Sequence, residues 1–122
     1  MNSITVDLPF EGDASVNHSH YRNGHMKPWV RHWRDGCVVV VRNAARMAGI
    51  TAWYPPLRVT VHTRFPNTPK RTRDSHNYHK QLLDVVKLAA GIDDSLMFVQ
   101  DGTVQTVDSR EAGCTLEIRE GA

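Results

Sequence analysis

The sequence predicts a single α/β (α+β) domain, a small mixed sheet with helices packed on it, and three observations carry that prediction. Its 122 residues are the length of one ordinary domain, enough to bury roughly two thirds of the unfolded surface. Stretches with a two-residue apolar period alternate along the chain with stretches of helical period. No repeat, low-complexity tract or flexible linker interrupts them, so residues 1–122 are read as one domain.

The elements follow in order. ITVDLPF alternates apolar and polar residues and reads as an opening strand. EGDASVNHSHYRNGH is rich in turn formers and reads as an extended loop. From Pro28 to about Ala48, Trp29, Trp33, Val40, Val41, Ala44, Ala45 and Met47 recur among arginines, with Pro28 at the start and Gly49 past the end, which predicts a helix. The β-branched run CVVVV inside it is also compatible with a short strand.

LRVTVHTRF puts Leu57, Val59, Val61, Thr63 and Phe65 on one face and is the clearest strand. PNTPKRTR is a polar loop. DSHNYHKQLLDVVKLAAG opens on Asp74 as an N-cap, stops at Gly91, and stacks Tyr78, Leu82, Val85 and Ala89 into one stripe flanked by Leu83 and Val86, so it is a helix. SLMFVQDGTVQTV and CTLEIRE are two closing strands, expected to be antiparallel.

Composition limits the function classes. The apolar fraction is 40%, and no apolar run approaches the roughly 20 residues a spanning helix needs. The N-terminus lacks the basic-then-apolar pattern of a signal peptide, so a cytoplasmic location and no membrane partner are expected. Cys37 and Cys114 are far apart and outside any CxxC spacing, which argues for idle thiols rather than a thiolate zinc site or a disulfide.

Net charge is only +2, but it is unevenly distributed. His18 to Arg46 carries six Lys or Arg against Asp35, and Arg58 to Lys80 carries six against Asp74, a balance of +5 each. From Gly91 onward two arginines face seven acids, a balance of −5. Such segregation points to a positive face for a polyanion.

On the helix that follows Asp74, Asn77, Lys80 and Asp84 fall within about 60° of one another on the flank of the apolar stripe. If the next strand lies beside LRVTVHTRF, the GIDD turn is expected to return Asp93 and Asp94 to the same place. Carboxylates converging beside a lysine at the mouth of a basic loop suit metal-assisted phosphoryl chemistry. Hard oxygen ligands hold a divalent cation, the cation activates a water, and the lysine shares the transition-state charge. A helix cap followed by a solvated face accounts for the same residues without any chemistry.

RTRDSHNYHKQLLD and GIDDSLM together resemble the signature of the RusA-like endonucleases, small Holliday junction resolvases found mostly in phages and prophages. ASVNHSHY is similar to the Ser-x-Asn and aromatic segment of that family, and the likeness runs from about Ile4 to Val107. It implies that Asp74 and Asp94 are the first and last metal-binding aspartates, that Asn77 is the family's asparagine and that Lys80 is its catalytic-site lysine. Asp84 and Asp93 match neighbouring acidic positions.

His76 is the departure, standing where the commoner pattern has a second aspartate. A neutral imidazole still ligates a cation but gives up a charge and favours softer metals. The resemblance further implies a homodimer that uses magnesium or manganese to cut four-way DNA junctions by paired nicks. Lys70, Arg71, Arg73 and Asn17 are the candidate DNA contacts.

Two other readings belong to different classes. A protein of the same fold that lost cleavage through His76 would bind junctions as a recombination accessory. A basic single-strand binding module would have no use for the Asp74, Asp84 and Asp94 cluster, because acids in a polyanion site cost affinity unless a cation sits among them. Among the seven histidines, the His18–His20 and His76–His79 spacings fit no standard zinc site. Trp29, Trp33 and Trp53 suit a core or a dimer interface better than base stacking.

Overall fold

In the computed structural model, which describes residues 1–9, 24–67 and 76–121, the elements come in the expected order. They are β1 (Ser3–Pro9), α1 (Pro28–Met47), β2 (Leu57–Pro66), α2 (His76–Ala90), β3 (Met97–Val107) and β4 (Gly113–Glu120). Most of the two expected loops, and the Asp74 cap, lie outside the described residues.

CVVVV is helical. Cys37, Val38 and Val41 are buried while Val39 and Val40 are exposed, so a helical period matches this run to the core and overrides its β-branched preference. Gly49, at φ +76°, takes the left-handed conformation that ends α1, and Ile50 N–H donates to Ala45 O at 2.9 Å.

The sheet order is β1-β4-β2-β3. β4 pairs antiparallel with both β1 and β2, whereas β2 and β3 are parallel. β3 and β4 therefore run in opposite directions as expected, but β2 lies between them. The cause is the α2 crossover, which brings the chain back parallel along one edge of β2. The segment holding the 3₁₀ turn Ser109–Glu111 then carries it past β2 to the other side.

Both helices cover one face of the sheet. Trp33, Cys37, Val41, Leu82, Val85 and Val86 pack there on Ile4, Val6, Val59, Val61, Leu116 and Ile118. Leu57, Val59, Val61, Val85, Val86 and Leu116 are wholly buried. Residues at the alternate positions, among them Thr5, Asp7, Arg58, Thr60, His62, Arg64, Thr115, Glu117 and Arg119, form a second face that no helix of the described residues covers. Cys37 and Cys114 are buried and not joined in a disulfide, and burial pushes the Cys114 thiol up to about 12.

The β2–β3 register shifts between Val61 and Thr63. The His62 ring fills the space beside Gly102, where an added Cβ would collide with it. His62 Nδ1 accepts Thr103 N–H at 2.9 Å, so the ring proton sits on Nε2 and is donated to Glu117 at 3.1 Å.

Glu120 ties the start of the chain to the segment before β2. Its carboxylate accepts Asn2 N–H at 2.7 Å and Tyr54 N–H at 2.6 Å. The Asn2 backbone bond, reinforced by Tyr54 N–H and the Asn2 amide, holds its pKa below the ordinary 4.5. A depressed folded pKa means stabilisation that is present above the ordinary carboxylate value and lost as pH falls through the folded one. Glu120→Gln should therefore lower Tm by a few degrees at neutral pH, and the gap to wild type should close as pH falls through the lowered pKa of Glu120. Thermal melts across that range check both parts.

Candidate functional site

α2 is where the sequence concentrates its candidate residues. Its backbone is set by the Leu82, Val85, Val86 stripe buried in the core and by the left-handed Gly91, at φ +70°, that ends it. Lys80 is exposed and Asp84 half-buried, one turn apart on one side of the helix. Neither makes an ion pair among the described residues.

Asp93 and Asp94 follow the C-terminal end of α2, Asp94 opening the 3₁₀ turn Asp94–Leu96. The neighbouring Asp94 side chain, then the Ser95 hydroxyl and backbone N–H, then Lys87 hold the Asp93 carboxyl below its usual range. Ser95 Oγ lies 3.1 Å from Asp93 Oδ2, and Lys87 Nζ lies 3.9 Å from Asp93 Oδ1. Two exposed carboxyls side by side favour either a shared proton or a hard cation.

β3 does lie beside β2, as the expected return of Asp93 and Asp94 required. The expected convergence does not follow. His76 opens α2 and Asp93 lies beyond its end, and a 15-residue helix is about 21 Å long at 1.5 Å per residue. Ligands of one cation lie within about 2.6 Å of it. His76 and Asp94 of the same chain therefore cannot share a metal. The reason is topological: a crossover helix between parallel strands starts where β2 ends and finishes where β3 begins, at opposite ends of the sheet. Among the described residues no group of three or more His, Cys, Asp or Glu is placed to hold a metal.

Of the remaining candidates, Asn17, Lys70, Arg71, Arg73 and Asp74 lie outside the described residues, as do His18 and His20. His76 and Asn77 form the first turn of α2. Trp33 and Trp53 are core residues, and Trp33 Nε1–H donates to Pro9 O at 3.1 Å; Trp29 is partly exposed.

Close to the first turn of α2 is a pair that sequence spacing does not reveal. His79 Nε2 lies 2.8 Å from Asp101 Oδ1, both side chains largely buried between α2 and β3. An aspartate in this position fixes the orientation and the tautomer of the imidazole. Beside Lys80, α2 also buries Gln81 completely, and Thr63 near the end of β2 buries a hydroxyl with no hydrogen-bond partner among the described residues. Thr63 and Gln81 thus add polar groups to the core near the end that leads into residues 68–75. His79 and Asp101 lie 22 residues apart, so only the parallel pairing of β2 and β3 places them together.

No protein-family model matches the chain, and no curated protein matches it. Among the described residues no helix is long and apolar enough to cross a membrane.

Proposed function

We propose that the protein is a metal-dependent, structure-selective DNA endonuclease that resolves four-way junctions by paired nicks, working as a homodimer whose catalytic sites are shared between subunits. The observation that carries the shared site is the placement of His76 and of the Asp93–Asp94 pair at opposite ends of α2. One chain holds both halves of a ligand set too far apart to act together. Two chains packed so that the start of one α2 meets the end of the other would bring them into contact twice, once for each strand to be cut. The exposed apolar residues Trp29, Val40 and Met47 of α1 offer surface for such pairing.

In this arrangement Asp93 and Asp94 of one subunit and Asp74 and His76 of the other hold magnesium or manganese. The adjacent, exposed carboxyls of Asp93 and Asp94 suit a hard cation. Such a cation, when bound, polarises the scissile phosphate and supplies a hydroxide-like water.

Lys80, one turn beyond His76 and paired with no acid among the described residues, presents its ammonium to the charge that develops on the phosphate. The Asp101-held ring of His79 lies against the same turn and stiffens it. Lys70, Arg71, Arg73 and Asn17 contact the backbone of the junction, which gives binding its salt dependence.

A labelled four-way junction, beside linear duplex and single strand, tests the reading. Nicks confined to the junction and dependent on magnesium or manganese are expected. Tight junction binding with no nick in either metal would leave a junction-binding accessory protein, with His76 marking where cleavage was lost.

A further inference from the structure

We propose that the sheet face opposite α1 and α2 is a second binding surface, for a single strand of DNA, with phosphates on Arg58 and Arg119 and a base stacked on Phe98. Arg58 and Arg119 are direct cross-strand partners between β2 and β4. On the other side of Arg58 its partner is Phe98, whose ring is 55% exposed. The three therefore form one row across adjacent strands, spanning two strand spacings, about 10 Å.

Like charges directly opposite one another destabilise a sheet, and no acid among the described residues forms an ion pair with either arginine. Neither arginine makes an ion pair or side-chain hydrogen bond among the described residues. Other arginines have internal duties. Arg64, on the same face, donates to Glu111 O and Thr115 Oγ1 at 3.1 and 2.8 Å, and Arg42 donates to Leu88 O at 2.9 Å. Two unneutralised guanidinium groups beside an exposed ring are complementary to an anion joined to a flat apolar group, which is what a nucleotide in a single strand presents.

The next row of the sheet shapes how the strand would lie. Thr5, Thr60, Gln100 and Glu117, with Arg119, line a depression of about 300 Å³. Glu117 is its one acid and accepts the His62 Nε2 proton, so phosphates are kept to the arginine row while Thr60 and Gln100 offer neutral hydrogen-bonding groups to base edges. The paired bases of a duplex leave no free ring for Phe98. The choice of DNA over RNA rests on the proposed nuclease function; strand binding itself does not.

Fluorescence anisotropy of a labelled oligothymidine, in EDTA so that no cleavage intervenes, tests the surface. Arg58→Gln with Arg119→Gln should weaken binding at least about tenfold, and the slope of log affinity against log salt should become shallower by about 0.7 for each phosphate that is no longer neutralised. Phe98→Ala should weaken binding roughly tenfold by removing the stacking platform. Arg46→Gln, an exposed arginine on α1, should change little, and circular dichroism should be unaltered throughout.

Absence of binding by the wild type, or equal losses in the Arg46 and Arg58/Arg119 variants, would overturn the proposal. So would full competition by inorganic polyphosphate with no effect of Phe98→Ala, which describes a bare anion site. Tighter binding of oligouridine would overturn the assignment to DNA while leaving junction cleavage to be judged by its own assay.

Discussion

Asp94→Asn is expected to abolish junction cleavage, lowering the rate by well over 100-fold, while junction binding in the absence of metal stays close to wild type. Removing a group that merely orients a metal ligand already costs about 10- to 100-fold, and a ligand that carries charge should cost more. The neighbouring carboxyl explains why the effect should be large here. Asp93 and Asp94 are adjacent, and the Asp94 side chain is the main reason the Asp93 carboxyl titrates low. Replacing Asp94 by an amide removes one charge and disturbs the ionisation of the other. Single-turnover cleavage at saturating magnesium and again at saturating manganese, with binding measured in EDTA, separates impaired chemistry from impaired affinity. A small effect would mean that Asp93 and Asp94 are only a solvated turn paired to Lys87.

Much of the architecture is written in local periodicity. LRVTVHTRF alternates because β2 buries only one side, and the 3.6-residue stripe of α2 matches the residues it buries in the core. The charge pattern was legible in amount but not in direction. The basic segments suggested one positive face, whereas Arg58, Arg64 and Arg119 lie on the uncovered side of the sheet and the α1 arginines on the helical side. Strand alternation would have placed Arg58 opposite Leu57, but only the sheet order makes Arg119 its neighbour.

The same limit applies to the candidate site. Helical spacing places Lys80 and Asp84 together, because both lie on one element. It cannot place Asp94 relative to His76, because that depends on where the crossover ends. His79 with Asp101, and Glu120 with Asn2 and Tyr54, join residues 22, 118 and 66 positions apart, and no short-range pattern records such pairs. The cap and basic loop, Asp74 with Lys70, Arg71 and Arg73, rest on sequence alone.

A site shared between subunits has a consequence that a site within one chain cannot imitate. If each site takes Asp74 and His76 from one subunit and Asp93 and Asp94 from the other, a mixed dimer of an Asp74→Asn chain and an Asp94→Asn chain has one doubly damaged site and one intact site. The measurement is junction nicking by the two variants, alone and after mixing under conditions that exchange subunits. Each variant alone should be inactive, and the mixture should nick one strand of the junction, up to about a quarter of the wild-type number of working sites when half of the dimers are mixed. Activity that stays absent in a mixture shown to contain mixed dimers would contradict the shared site, and cleavage by either variant alone would contradict the roles given to these aspartates.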